Sequence, residues 1–164
     1  MKNIVRKAYY WLPPIIWAIV IFVASSQPYE QQDLRPTILE NIDLEFVEQI
    51  AGDVSITYAG SEVSIETRGV AGFIEFFIRK GAHFFVYLVL GFLVYRLFHY
   101  INIRRYKFIF SLLIVVLYAI SDEVHQYLTP NRTALVEDVI LDSIGGLVGV
   151  LLAQFIFSRK VRRL

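Results

Sequence analysis

Two carboxylates, a histidine and an amide follow directly after an apolar stretch in the second half of the chain. They are Asp122, Glu123, His125 and Gln126, and the apolar stretch runs from Phe108 to Ile120. The stretch has the composition of a membrane span, where ionisable side chains are costly and usually functional. A histidine among carboxylates is a candidate for proton transfer, so these residues predict acid–base chemistry or polar recognition.

A second group of polar residues can be brought to the same face of the membrane. The candidate acid–base residues are His83, His125, Asp122 and Glu123. The candidate ligand-binding residues are Ser26, Gln27, Arg79, Lys80, Tyr87, Gln126, Arg132, Asp138 and Asp142. Arginine suits phosphate or another anionic group, because its planar fork donates two parallel hydrogen bonds.

A simpler interpretation of the same residues is structural. The three cations Arg79, Lys80 and Arg132 nearly balance the four acids Asp122, Glu123, Asp138 and Asp142. An interhelical network of ion pairs and hydrogen bonds could therefore explain the whole cluster. We predict no metal site, because Arg79 and Lys80 would repel a cation and no His-Glu-x-x-His spacing occurs. No cofactor is implied.

Four apolar stretches are long enough to hold these residues on membrane-spanning helices. They cover approximately residues 8–26, 77–98, 106–127 and 138–157. Pro13 and Pro14 are expected in the first turns of the first helix, where proline is tolerated best. Gly145 and Gly149 form a small surface that lets a neighbouring helix approach closely. We predict an all-α membrane protein with four transmembrane helices in a single domain, 1–164.

The basic residues predict the orientation of the helices. Between the first two spans, Arg35 and Arg68 face nine acids from Glu30 to Glu66. Three basic clusters fall on the opposite side of a four-helix bundle: Lys2, Arg6 and Lys7; Arg104, Arg105 and Lys107; and Arg159, Lys160, Arg162 and Arg163. We therefore predict a multi-pass protein of the bacterial plasma membrane whose two termini are both cytoplasmic.

The external segment, about residues 28–72, is the one part with the composition of a water-exposed structure. Apolar residues from Ile38 to Ile50 indicate a short amphipathic helix. Alternation over residues 53–58 and 62–66, separated by Ala59-Gly60-Ser61, predicts a β-hairpin.

Length, composition and charge limit the function classes. The 164 residues are 56% hydrophobic, which exceeds the share in ordinary soluble domains. The net charge of +1 gives no basic field for nucleic acid. The chain has no cysteine, which excludes thiol nucleophiles and disulfides.

The polar residues also occur in a pattern that resembles the VanZ-like family. The pattern comprises Ser25-Ser26-Gln27, Arg79-Lys80-x-Ala82-His83-Phe84-x-x-Tyr87, Ser121-Asp122-Glu123-x-His125-Gln126 with Pro130 and Arg132, and Asp138-x-x-x-Asp142-Ser143-x-Gly145. Asn131 stands where a glycine is common in the family, and Val86 where some members have an acid. The resemblance implies a small bacterial four-helix membrane protein linked to the cell envelope. The founding member confers low-level resistance to the glycopeptide teicoplanin.

Three hypotheses follow for the function. The first is binding of an anionic envelope component, such as a lipid-linked cell-wall precursor or a glycopeptide, with membrane lipids as further partners. The second is an intramembrane hydrolase or transferase that uses histidine–carboxylate chemistry on a lipid-linked substrate. The third, a small proton-linked transporter, fits less well because the charges cluster at one face and transport needs access from both sides.

Overall fold

The computed structural model describes the backbone of residues 2–103, 105–130 and 132–161, and within these ranges the side chains from residue 9 to residue 157. Six α-helices and one two-stranded hairpin follow in the order α1, α2, α3, β1, β2, α4, α5, α6. The helices are α1 Lys2–Ser25, α2 Arg35–Asn41, α3 Leu44–Ala51, α4 Ile65–Tyr100, α5 Lys107–Tyr127 and α6 Val136–Val161. The strands are β1 Ser55–Tyr58 and β2 Ser61–Ser64.

Three of the helices have the length and the apolar composition of a membrane span. They are Ile65–Tyr100, Lys107–Tyr127 and the Val136–Phe157 part of α6. A fourth candidate consists of the Tyr9–Ser25 part of α1 and of Tyr29–Asn41, which comprises a short 3₁₀ helix, Tyr29–Gln32, and α2; the two parts meet at an angle of 113°. The predicted helical fold with several spans and a small hairpin is confirmed, while the N-in, C-in orientation stays a prediction.

The first helix begins earlier than the sequence indicated. Pro13 and Pro14 lie inside α1 and not in its first turns, so the predicted position of the prolines was wrong. Because proline has no N–H, the carbonyls of Tyr9 and Tyr10 lose their usual helical donors. A membrane helix tolerates this when neighbouring groups satisfy the freed carbonyls.

The segment between α1 and α4 contains the predicted hairpin. Ser55 pairs with Ser64 and Tyr58 with Ser61, and the two turn residues Ala59 and Gly60 both have positive φ, 50° and 73°. This is the geometry of a two-residue turn that matches the twist of the strands, and glycine adopts it without strain. The single amphipathic helix expected from Ile38 to Ile50 is instead two helices, α2 and α3.

The break between α2 and α3 has a local cause. The backbone of Ile42 is extended, and the Asp43 side chain accepts a hydrogen bond from the Phe46 amide at 3.1 Å. An aspartate in this position caps the first turn of a new helix, so the chain restarts there. This capping residue was missed because the apolar pattern runs through it.

Helix α4 also begins earlier than the predicted span. Ser64 and Thr67 form a reciprocal capping box, with both side chain–backbone distances at 3.2 Å, so the second strand ends at Ser64 and the helix starts at Ile65. Gly69 has φ 67° and ψ 165° and interrupts the helix. With 36 residues, α4 is longer than the about 20 residues that cross a bilayer core of roughly 30 Å.

The core is formed by α4, with α6 packed most extensively against it. Gly145 and Gly149 lie against the backbone of Phe84 and Leu88, with no room for a Cβ. The predicted close approach along these glycines is therefore confirmed. Tyr87, Leu90, Val94, Val115 and Ala119 fill the centre.

Several residues used in the sequence argument lie outside the described part of the chain. They are the side chains of Lys2, Arg6, Lys7, Arg159 and Lys160, and the whole of Arg104, Asn131, Arg162 and Arg163.

Candidate functional site

A cavity of about 350 Å³ lies at the end of the bundle where α1 and α5 finish and α6 begins, here called the polar end. Its walls come from α1, α4, α5 and the segments that follow α1 and α5. The lining residues are Val20, Ile21, Ala24, Ser25, Gln32, Leu34, Ile78, Arg79, Ala82, His83, Val86, Tyr87, Asp122 and Arg132. Five of these are predicted site residues: Arg79, His83, Tyr87, Asp122 and Arg132.

The sides of the cavity are apolar and partly exposed. Val20 and Ala24 on α1, and Ile78 and Ala82 on α4, are exposed at the surface of the structure while also lining the cavity. Deeper in the structure the two helices are joined, because the Trp17 indole donates a hydrogen bond of 2.8 Å to the Val86 carbonyl. The cavity is thus bordered by exposed aliphatic side chains of two helices with the apolar character of membrane spans.

Arg79 lines the cavity, and its guanidinium is held by residues that lie outside the cavity lining. Its guanidinium donates to the buried Glu75 carboxylate at 2.9 Å and lies 4.3 Å from the centre of the Tyr29 ring. The Tyr29 hydroxyl donates to the other Glu75 oxygen, Oε2, at 3.0 Å. Arg35 Nε lies 3.7 Å from the same oxygen.

Arg35 is shared with an exposed carboxylate next to the same group. It donates two side-chain hydrogen bonds to Asp33, at 2.8 and 2.7 Å. A single carboxylate, Glu75, therefore faces two arginines, and the second of these is largely neutralised by Asp33.

Arg132 has a different environment. It donates to the Gln27 carbonyl at 3.1 Å, to Gln126 Oε1 at 3.1 Å and to Gln32 Oε1 at 2.5 Å. All of these acceptors are uncharged, and within the described ranges it forms no ion pair with a carboxylate. Burial, and secondarily the nearby Arg79 guanidinium, lower the pKa of Arg132.

Gln126 connects Arg132 with Asp122. Its Nε2 donates to Asp122 Oδ2 at 3.1 Å, while its Oε1 accepts from Arg132. The other Asp122 oxygen, Oδ1, and the Tyr87 hydroxyl are buried and have no hydrogen-bond partner in the described part of the chain. These two residues form the buried polar surface of the cavity.

His83 lines the cavity in front of a buried acid. Its Nδ1 lies 3.3 Å from Asp142 Oδ1, and Asp142 is 1% exposed. A carboxylate at this position favours a proton on Nδ1, which leaves Nε2 as the basic nitrogen. The pair therefore has the arrangement of an oriented general base.

Lys80 does not line the cavity. Its ammonium lies 2.5 Å from Asp138 Oδ1, and the Tyr58 hydroxyl donates to the same oxygen at 2.5 Å. The Tyr58 ring covers the ammonium at 4.6 Å. Lys80 and Asp138 are thus paired under the hairpin.

His125 and Ser26 form a separate contact on the other side of α1. The Ser26 oxygen lies 3.0 Å from His125 Nε2 and also donates to the Phe22 carbonyl at 2.7 Å. With its proton engaged by that carbonyl, the serine is not arranged to give it to histidine, so this pair does not have the geometry of an activated nucleophile.

The remaining predicted residues support loops. Glu123 Oε1 accepts from the Leu135 amide at 2.5 Å, ahead of α6, while Oε2 has no partner in the described part of the chain. Gln27 accepts from Arg132 through its carbonyl and from Gln32 through its side chain. The structure therefore divides the predicted set among the cavity, the hairpin contact, the α1–α5 contact and these loop contacts.

Four residues of the site were missed from the sequence. Glu75 had a usable signal, because Glu75 and Arg79 stand four residues apart on a helix. Tyr29, Gln32 and Tyr58 had none, since their partners are distant in sequence. Among the described residues, no group of three or more histidines and acids could hold a metal ion.

The lengths and apolar composition of the helices define a multi-pass membrane protein. The family model described as VanZ/LLP1 matches residues 10–157, well over half of the sequence, so the chain belongs to this family. The resemblance found in the sequence is thereby confirmed. No curated protein and no solved structure matches the chain.

Proposed function

We propose that this protein binds an anionic, lipid-linked component of the cell envelope in the cavity at the polar end, which faces the outside of the cell. The observation that carries the proposal is that Arg79 and Arg132 line one apolar cavity, and that in the described part of the chain the hydrogen-bond acceptors of Arg132 are all uncharged oxygens. An anion between the two guanidiniums would accept charge-assisted hydrogen bonds and relieve their mutual repulsion.

The shape of the cavity supports a lipid. Its volume of about 350 Å³ is at the lower end of the range for ligand pockets, enough for a headgroup but not for acyl or prenyl chains as well. The exposed side chains of Val20, Ala24, Ile78 and Ala82 at its border would contact those chains. A whole glycopeptide antibiotic is much larger than the cavity, so only a substituent of such a molecule would enter.

The binding experiment uses the protein in nanodiscs or mild detergent, with native mass spectrometry against phosphate-bearing and neutral lipids of equal chain length. Arg79→Gln combined with Arg132→Gln should weaken binding of the phosphate lipids about ten-fold or more, the usual effect of losing charged hydrogen bonds. Arg132→Lys, which keeps the charge but loses the fork, should give an intermediate loss.

Lys80→Gln is the matched control, because Lys80 is paired with Asp138 outside the cavity and glutamine can still donate to that acid. It should bind like the wild type. Equal binding by all variants, or binding of bulk lipid without preference for phosphate, would contradict the proposal and leave the interhelical network as the explanation of the charges.

A second candidate function is hydrolysis or group transfer on the bound headgroup. The observation that favours it is the His83–Asp142 pair at 3.3 Å, with His83 at the cavity wall. His83 Nε2 would take a proton from water as the water oxygen attacks the headgroup, and would return it to the leaving oxygen. Turnover in ¹⁸O-labelled water that is lost in His83→Gln but kept in His125→Gln would support this function; turnover in both variants would exclude this mechanism.

A contribution to teicoplanin tolerance is a further step of the same proposal. Expression in a susceptible bacterial host should raise the inhibitory concentration of teicoplanin, and the Arg79→Gln, Arg132→Gln protein should not. An unchanged inhibitory concentration with membrane-inserted wild type would separate lipid binding from resistance.

A further inference from the structure

The cavity contains a donor and an acceptor that the described part of the chain leaves unused. The Tyr87 hydroxyl and Asp122 Oδ1 have no hydrogen-bond partner within 3.5 Å there, although the two side chains lie close to each other, and the two residues are 0% and 4% exposed. Buried polar atoms in proteins are almost always paired with protein groups or ordered water, and in a binding site a ligand can take the place of that water. Both residues line the cavity, so a group bound in it lies next to them.

The free oxygen of Asp122 is held in place. Its other oxygen, Oδ2, accepts from Gln126 Nε2 at 3.1 Å, and the side-chain oxygen of Gln126, Oε1, accepts from Arg132 at 3.1 Å. One side-chain amide therefore links the acceptor to the cation. A ligand that contacts both would carry its anionic group and its hydrogen-bond donor only a few bonds apart.

We propose that the ligand's headgroup carries a hydroxyl close to its phosphate, and that Tyr87 and Asp122 recognise this hydroxyl while Arg79 and Arg132 hold the phosphate. The inference rests on the proposed function and specifies its ligand class. Glycerol-phosphate and sugar-phosphate headgroups both have this chemistry. A headgroup of this size agrees with the volume of about 350 Å³.

A hydroxyl satisfies both orphaned groups at once. It donates its proton to the Asp122 carboxylate and accepts the proton of the Tyr87 hydroxyl. An ammonium group can donate to Asp122 but accepts nothing, so the tyrosine proton would stay without an acceptor. A bare phosphate would place an oxygen acceptor against the carboxylate. The number of donors and acceptors thus favours a hydroxyl over either alternative.

The experiment is a competition in native mass spectrometry among three lipids with identical chains. Phosphatidylglycerol has a phosphate and hydroxyls, phosphatidylethanolamine a phosphate and an amine, and phosphatidic acid a phosphate alone. The wild type should prefer phosphatidylglycerol at least five-fold over either competitor. Tyr87→Phe and Asp122→Asn should each bring the ratio of the affinities for phosphatidylglycerol and its competitors towards one, while the affinity for phosphatidic acid stays unchanged.

Tyr118→Phe is the matched tyrosine control. Its hydroxyl already donates to the Ala18 carbonyl at 2.6 Å, and its ring lies 6.2 Å from that of Tyr87. Loss of this hydroxyl should lower the stability of the α1–α5 contact and leave the lipid preference as in the wild type. A change of preference equal to that of Tyr87→Phe would show a structural effect and overturn the assignment.

The other outcomes separate the two proposals. If no phosphate lipid binds, the proposed function itself fails, and this inference fails with it. If all three lipids bind equally, or the preference survives in Tyr87→Phe and Asp122→Asn, the arginines act alone and the hydroxyl site is overturned. A preference for phosphatidylethanolamine would overturn it in favour of an amine.

Discussion

The hydroxyl of Tyr58 in the hairpin donates a hydrogen bond of 2.5 Å to Asp138 at the start of α6, 80 residues further along the chain. The same carboxylate accepts from Lys80 on α4. A small hairpin is marginally stable on its own, so it needs contacts of this kind to stay folded. Three separate elements therefore meet at one acid, and the hairpin is docked onto the bundle by its tyrosine.

Tyr58→Phe should loosen the hairpin without unfolding the bundle. A hydrogen bond to a charged acceptor contributes about 1.5–3 kcal/mol, and phenylalanine keeps the ring contact with Phe76 at 5.3 Å. Hydrogen exchange should become faster in β1 and β2 and stay unchanged in the central turns of α5. Tyr106→Phe, at an exposed ring, is the control; equal exchange in Tyr58→Phe and the wild type would contradict the docking role.

High pH should release the same contact. Burial, and then the hydrogen bond to Asp138, raise the pKa of Tyr58 above its ordinary value of 10. The stabilisation is therefore complete below about pH 10 and is lost as pH rises towards the folded-state value. Proteolysis of the hairpin, normalised at each pH to cleavage of an unstructured peptide by the same protease, should accelerate above pH 10 in the wild type but not in Tyr58→Phe, which is already loosened. A parallel increase in both proteins would contradict this prediction.

The sequence was sufficient for the features that depend on local pattern. Alternation around Ala59-Gly60-Ser61 predicted the hairpin, although Ser61 belongs to β2 and not to the turn, and hydropathy predicted the spans that became α5 and α6. Polar residues at the ends of apolar stretches also predicted five of the residues that line the cavity. Each of these signals is contained in a short window of the chain.

Contacts between distant elements could not be read from such windows. The sequence grouped Lys80 with Arg79, yet successive residues of a helix point in different directions. Arg79 faces the cavity and Lys80 faces Asp138. The pairing of Tyr29 with Glu75 likewise depends on how the segment after α1 folds back, which no local rule specifies.

Glu75→Gln should strengthen binding of anionic lipids. Glu75 neutralises Arg79 at 2.9 Å, so its replacement by a neutral amide leaves the guanidinium free to bind a phosphate. We expect a several-fold higher affinity, together with a loss of roughly 1–3 kcal/mol of stability from the altered buried hydrogen bonds. Lipid titration followed by native mass spectrometry measures the first effect and thermal unfolding the second.

Asp33→Asn is the control for that experiment. Asp33 is paired with Arg35 and not with the cavity, so its replacement should change neither the affinity nor the lipid preference appreciably. If Glu75→Gln bound anionic lipids no better than Asp33→Asn, Arg79 would not be the group that contacts the phosphate.

Gly149→Ala should destabilise the bundle, because a Cβ at this position would overlap the Leu88 carbonyl of α4. Forcing extra atoms into a packed contact costs about 1–3 kcal/mol, and backbone cannot move aside as a flexible side chain can. Gly81→Ala is the matched change: a Cβ there meets nothing within 4 Å, and alanine favours a helix over glycine by up to about 1 kcal/mol. The midpoint of thermal unfolding, measured in one detergent, should therefore fall for Gly149→Ala and stay level or rise for Gly81→Ala.

Equal midpoints for the two variants would mean that α4 and α6 can separate at Gly149 without loss of stability. In that case the close packing would not be what keeps His83 on α4 next to Asp142 on α6.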